Sequence, residues 1–502
     1  MPSDKRPPIF LYAKFDVQAL CRTASSLRQD IACTCNPDQH PASGSFNWAV
    51  FLTFEDGVQW VLRSPHTNGA ELSMELSSKL LESEAATMKY VQQNSDIPVP
   101  TVHLYRANAE NEIGIPFILM SKASGWPLEK AWKNPESDKP VLAASLKAKV
   151  LRQLGETTYK LSQLRFSRIG SLFERDGLVP VEECLSRGHI LHDRYSLEGV
   201  ARGPFISEEH YIEPTCKHAE VLQLSHHCFT APIPSREDYE SHDQYLEACD
   251  LWNDFVTVGK KLDSSDNRLD YIVAAHALRE LIPAWRSQLP NTDSHLFPLC
   301  HADLSVNNIY VDDDFNITCI IDWAFSTTVP EALLLTPPGL PQSRYELDKS
   351  LRLAFQDGFE TAIIGDTCDQ RTESIKAALE LVKEGRCSWL LTRFLNFDSI
   401  DDHGLFTALW EHTYGHSKDI GSYFAERRSS PSYIELYNDV RLEDQPLEKL
   451  KKAESNYFRD DWGCQYTPFH QQRLRKTGEL FVTDSKLWKW ILEFKKDWGN
   501  IS

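Results

Sequence analysis

The sequence predicts an α+β fold in which a small antiparallel sheet carrying one helix precedes a large, mainly helical region. Three observations predict it. Residues 44–64 alternate apolar with smaller or polar side chains about an Asp56-Gly57 turn, the two-residue period of a half-buried hairpin. Residues 146–164 switch to apolar side chains about four apart, the period of an amphipathic helix. Residues 298–323 read as loop, strand, polar turn and strand, with carboxylates and an amide at the junctions.

In the hairpin, Phe46, Trp48, Val50, Leu52 and Phe54 are answered by Val58, Trp60 and Leu62, after a small-residue turn at Gly44-Ser45-Phe46-Asn47. Residues 70–93 contain no proline or glycine and are rich in Glu, Lys, Leu, Met and Ala. They predict a helix ended by Ile97-Pro98-Val99-Pro100, because a residue before proline is pushed out of the helical region. Residues 101–105 and 115–120 read as two further strands.

After Gly125-Trp126-Pro127 the character changes, and Leu146, Val150, Leu154, Leu161 and Leu164 predict a long helix. Residues 180–266 are irregular, rich in His, Tyr, Pro and acidic side chains, and read as an insertion. Residues 267–289 return to helix, with Ile272, Leu278, Leu281, Ile282 and Trp285 on its apolar side, and the chain from 346 onward is mainly helical. The expected organisation is an N-terminal lobe over residues 1–122 and a C-terminal lobe over 123–502, with 180–266 inserted in the second.

Composition narrows the function classes. The chain has 502 residues, 41% of them hydrophobic, enough for a substantial core and more than one average domain. Against 53 basic residues stand 72 acidic ones, a net charge of -19. That argues against a general nucleic-acid partner, whose phosphates require a basic surface. No stretch approaches the roughly 20 apolar residues of a membrane span, and the first residues hold no apolar segment typical of a secretory signal. The expectation is a soluble, cytoplasmic protein without a membrane partner. The 12 cysteines are scattered and read as reduced thiols. Cys33, Cys35 and His40, and Cys216, His218, His226, His227 and Cys228, lack a familiar zinc spacing.

The chemistry concentrates in His301-Ala302-Asp303, Asn308 and Asp322. Pairing of 309–311 with 317–321 would hold Asn308 at the start of one strand and Asp322 at the end of its partner. Magnesium prefers oxygen and takes one or two protein ligands plus water and phosphate, which suits Asn308 and Asp322. Asp303, five residues before Asn308, can accept the proton of an attacking hydroxyl, and His301 braces the loop. A lone HxD occurs by chance, and a single loop Asp is commonly a turn former. The conjunction with Asn308 and a strand ending on Asp322 is much harder to explain that way.

The run HADLSVNN followed by IIDW resembles the aminoglycoside phosphotransferase and choline kinase-like superfamily, whose catalytic segment reads HGDLxxxN and then a strand ending IDW or IDF. The likeness covers roughly residues 40–420 and is nearest a poorly characterised, mostly fungal group. It implies a bilobal, protein kinase-like fold that uses ATP and Mg2+ to phosphorylate a hydroxyl.

By that resemblance, the turn at Gly44 and Ser45 covers the nucleotide phosphates, although a plain hairpin turn fits the residues equally. Arg63 stands where a phosphate-holding lysine is usual, and a guanidinium can serve there as a bidentate ligand. Glu84 is its implied partner, with Glu82 as competitor. Main-chain groups at Met120 to Lys122 would meet adenine. Val329-Pro330-Glu331 follows Asp322 so closely that little room remains for a peptide-docking segment. A small-molecule hydroxyl acceptor is therefore expected rather than a polypeptide. A catalytically silent nucleotide-binding scaffold is the alternative. Trp323, Tyr239, Tyr245 and Trp252 are candidates to line the acceptor pocket or to pack in the core.

Overall fold

A computed structural model describes residues 7–66, 72–132, 142–191, 194–196, 198–213, 262–263, 265–289, 295–341, 346–365, 372–383, 385–396, 402–442, 446, 448 and 482–483. The described chain is α+β and falls into two compact units. The first draws on 1–196, 201–211 and 290–389, and the second on 197–200, 212–289 and 390–502.

The first unit begins with helix α1 (Val17–Ser26), capped by Asp16, whose carboxylate accepts the Ala19 N–H at 2.8 Å. Two short strands follow, β1 (Cys33–Thr34) and β2 (Ala42–Ser43), then the expected hairpin of β3 (Asn47–Phe54) and β4 (Gln59–Pro65). Helix α2 (Met74–Asn94), capped by Ser73, precedes β5 (Val102–Arg106) and β6 (Phe117–Ser121). All pairings are antiparallel, in the order β1-β3-β4-β6-β5 with β2 on β3. This extends the sequence expectation of hairpin, helix and two strands by α1, β1 and β2.

The alternation in β3 is realised: Trp48, Val50, Leu52 and Phe54 are buried, and with Leu62, Phe117 and Leu119 they pack against Leu20 and Ala24 of α1. At about 25 cal/mol per Å² of apolar surface removed from water, such a face is the dominant force holding α1 to the sheet.

Beyond the sheet, β7 (Trp126–Pro127) and α3 (Glu129–Trp132) lead to α4 (Ala144–Gln163), in which Val150, Leu154 and Leu161 are buried. Strand β8 (Arg165–Phe166) and the short α5 (Arg187–Ile190) follow. In the second unit β9 (Leu262–Asp263) pairs in parallel with β14 (Val482–Thr483), and α6 (Ser265–Arg286) buries Ile272, Leu278, Leu281 and Trp285.

Back in the first unit, β10 (Phe297–Cys300) lies between β8 and β13 (Thr327–Thr328), and β11 (Ile309–Val311) lies between β7 and β12 (Ile317–Ile320). Helix α7 (Glu331–Leu334) precedes α8 (Lys349–Gly365). Helices α4 and α8 approach so closely that a Cβ on Gly358 would lie 1.9 Å from the Arg152 carbonyl oxygen, and one on Gly155 2.1 Å from that of Phe355. This seam fixes α4, and Leu164 at its end joins the Leu299 N–H of β10 at 3.1 Å, next to the loop that carries the site.

Candidate active site

The 298–323 segment folds locally. Strands β11 and β12 pair with Ile309 opposite Ile320 and Tyr310 opposite Cys319, and a register shift follows at Val311. Their turn is tied by Asp312, which accepts the N–H groups of Asp314 (3.0 Å) and Asn316 (2.8 Å) and the Asn316 side-chain amide (2.9 Å). Those bonds hold the Asp312 carboxyl below the usual carboxylate range. One step past the strands, Ile321 donates to the Asn308 carbonyl at 2.9 Å. Asn308 and Asp322 therefore begin and end adjacent strands, and Asp322 leaves its strand in the left-handed region, φ 63°, uncommon for a residue with a side chain.

His301 joins the loop to that strand end. Its Nε2 donates to the Ile321 carbonyl (3.0 Å), its Nδ1 accepts the Asp303 N–H (3.0 Å), and its ring meets Trp323 edge-on at 4.6 Å. One nitrogen donating and the other accepting is the neutral imidazole. Burial pushes the His301 pKa down, so the ring is a brace rather than a charge.

Asn308 donates through Nδ2 to the Asp303 carbonyl (3.0 Å) and carboxylate (3.2 Å). This leaves its own carbonyl oxygen for a cation. Burial by itself would raise the Asp322 carboxyl, but the charges of Arg63 and Arg187 outweigh it and hold it below its usual value. An amide oxygen and an ionised carboxylate on neighbouring strands fit a hard cation that takes few protein ligands.

From the sheet, Arg63 of β4 forms ion pairs with both Glu84 of α2 and Asp322. Glu84 is 4% exposed, whereas Glu82 is 31% exposed and faces Arg175 at 3.2 Å. The structure thus brings Arg63, Glu84, Asp322, Asn308, Asp303 and His301 together.

The other candidates sit apart from that cluster or serve it differently. Gly44 and Ser45 form the exposed turn between β2 and β3. Phe46 of the same turn packs edge-on against Phe325 at 5.1 Å, linking the turn to the segment after Asp322. Met120 is buried in β6, and Lys122 points Nζ to the Gln59 side chain at 2.7 Å. The N–H groups of Ser121 and Lys122 are donated to Thr101 and Gln59.

Cys33, Cys35 and His40 do not form a cluster that could hold an ion, and among the described residues no group of three or more His, Cys, Asp or Glu does. Cys216, His218, His226, His227, Cys228, Tyr239, Tyr245 and Trp252 lie outside the described residues. Trp323 is buried and donates to the Ile320 carbonyl at 2.9 Å, a core position.

Sequence reasoning missed Arg187. It lies in the segment read as an insertion, yet its Nη2 is 3.4 Å from the Asp303 carboxylate. No spacing or periodicity marks it, because α5 has only four residues.

No family model matches the chain. The protein named altered inheritance of mitochondria protein 9, mitochondrial, of Lachancea thermotolerans is 34% identical over 299 residues, covering 55% of this chain and 46% of that one. The protein of the same name from Debaryomyces hansenii is 31% identical over 140 residues, covering 28% and 22%. The chain thus spans less than half the length of these curated relatives. Among solved structures, a Plasmodium vivax ethanolamine kinase superposes with a TM-score of 0.36 at 12% identity, covering 82% of this chain and 87% of that one. The fold rests on the chain's own strand order and pairings, not on that superposition.

The cytoplasmic expectation is corrected by these relatives, whose names place them in mitochondria. The absence of an apolar run could not separate the two compartments, since mitochondrial targeting segments are amphipathic rather than apolar. Among the described residues no helix is long and apolar enough to cross a membrane. In the HADLSVNN and IIDW segments, and with relatives that are fungal, this chain resembles the aminoglycoside phosphotransferase and choline kinase-like superfamily, and its described residues form an α+β fold.

Proposed function

We propose that the protein transfers the γ-phosphoryl group of ATP to a hydroxyl of a small molecule. The observation that carries this reading is the meeting of Asp303, Asn308 and Asp322 with the Arg63–Glu84 pair, residues contributed by a sheet strand, a helix and a distant loop. In this reading Asp303 takes the proton of the acceptor hydroxyl as its oxygen bonds to the γ-phosphorus. The bond from phosphorus to the β–γ bridging oxygen breaks, and the electron pair leaves on ADP. Arg63, fixed by Glu84, orients the nucleotide phosphates. Asn308 and Asp322 would hold Mg2+, which when bound offsets charge on the phosphates.

Residues 323–335 support a small acceptor over a peptide. They are buried throughout, with Thr327 and Thr328 paired into β13 and Glu331 ion-paired to Arg165. A protein kinase displays a long segment there for its substrate to dock on.

The test is ADP release with Mg2+ across a panel of hydroxylated metabolites. Acceptor-dependent turnover supports the reading. MgATP raising the melting temperature without turnover on any acceptor would favour a silent nucleotide-binding protein, a reading that the locking of Arg63 onto Asp322 also suits. No thermal response to MgATP would sink both.

A further inference from the structure

We propose that Arg187 binds the γ-phosphate of ATP and offsets its charge during transfer, an assignment that rests on the phosphotransferase reading above. Arg187 opens α5, and the element is firmly seated. Gly188, His189 and Ile190 are buried, and His189 is held between the Ser186 hydroxyl (2.7 Å) and the Tyr211 carbonyl (3.2 Å). The guanidinium lies with its central carbon 5.3 Å over the Phe325 ring. Phe325 in turn meets Phe46 of the turn between β2 and β3. Arg187 thus stands between the proposed base and the turn that resembles a phosphate cover.

Its bonding is incomplete for an arginine in so acidic a place. Two guanidiniums of this unit show what a full carboxylate pair looks like. Arg175 holds Glu182 at 3.0 Å through both Nε and Nη2, and Arg28 holds Asp56 at 2.7 and 2.6 Å. Arg187 instead makes one contact to Asp303 at 3.4 Å, longer than the roughly 2.7–2.9 Å of a strong charge-assisted bond. Its Nε is buried and, among the described residues, has no hydrogen-bond partner. At 20% side-chain exposure it is held in place without being saturated.

The chemistry of the step fixes what such a group would meet. As the acceptor oxygen bonds to the γ-phosphorus, the bond to the β–γ bridging oxygen breaks toward ADP and the acceptor proton passes to Asp303. The three remaining γ-oxygens carry the spread charge. A guanidinium 3.4 Å from the base's own oxygen is within reach of those oxygens and matches them as a planar fork.

The test compares MgATP and MgADP affinities of the wild type, Arg187→Ala and Arg187→Lys by calorimetry. Because only ATP carries the γ-phosphate, Arg187→Ala should weaken MgATP about tenfold or more and MgADP less than twofold, with Arg187→Lys recovering part of the loss. Equal weakening of both nucleotides, or none, overturns the assignment and leaves Arg187 a structural partner of Asp303. If Arg187→Ala does not fold, the same ATP-to-ADP comparison in Arg187→Lys and Arg187→Gln decides. A wild type that binds neither nucleotide overturns the phosphotransferase reading together with this one.

Discussion

Beneath the N-terminal sheet, Trp48, Val50, Leu52 and Phe54 pack with α1 into an apolar cluster that needs only proximity and shape. On the same strand pair, Arg63 reaches into a cluster built from charges, where Glu84, Asp322, Arg187 and Asp303 each depend on a neighbour of opposite sign. In the first region losing a side chain leaves a cavity. In the second it leaves a buried charge without its partner. The two therefore fail differently, and in the proposed function only the second couples failure to chemistry.

The largest effect should come from Asp303→Asn. Removing the proposed base should lower turnover by about a hundredfold to ten-thousandfold in an ADP-release assay, while the urea midpoint barely moves, since the substitution is isosteric at a partly exposed position. Full turnover in that variant would break the link between the charged cluster and catalysis.

Next in size, Arg63→Ala should destabilise by about 3–5 kcal/mol because Glu84 is left buried and unpaired. Trp48→Ala should cost a similar ~3–5 kcal/mol by opening a cavity. The double variant Arg63→Met with Glu84→Leu separates the two regions. It should regain most of the stability in urea unfolding, since apolar groups can replace a buried ion pair, yet bind MgATP poorly. If Arg63→Ala cost nothing, the charged cluster would not be held by pairing at all.

A smaller effect, about 1–3 kcal/mol, is expected from Gly358→Ala, which drives a methyl into the Arg152 carbonyl at the α4–α8 seam. Thermal unfolding should register it with little change in nucleotide affinity.

Comparable in total, but spread over pH, is the effect of a buried imidazole. Burial pushes His189 down from 6.5 to about 4. The unfolded chain therefore takes up its proton first as pH falls. Stability is complete above pH 6.5 and declines toward pH 4 by up to about 1.4 kcal/mol per pH unit. Urea midpoints across that window should flatten in His189→Asn. His103, stacked on Trp60 at 3.7 Å and also lowered by burial, to about 4, adds in the same direction.

Much of the fold was legible because its signals are local. The β3–β4 hairpin, α2, and the α4 periodicity could be read from alternation, capping and spacing within a few residues. Helix α1 was legible too, in Asp16 followed by Val17, Leu20 and Ala24 at helical spacing, but it went unread. Strand β7 was not, since two residues carry no period. Arg187 had no signal of any kind, as an arginine in a four-residue helix looks like any other surface charge.

By itself the sequence determined the 298–323 segment. Asp303, Asn308 and Asp322 are joined by one loop and one short hairpin, and strand pairing over so small a separation leaves few alternatives. Only the tertiary structure decided what faces them. Arg63 meets Asp322 across 259 residues and Arg187 meets Asp303 across 116. The choice of Glu84 over Glu82 was likewise settled in three dimensions. Two residues apart on α2, they point about 200° apart around the helix axis, so the packing of α2 on the sheet selects which carboxylate is buried against Arg63 and which is left to Arg175.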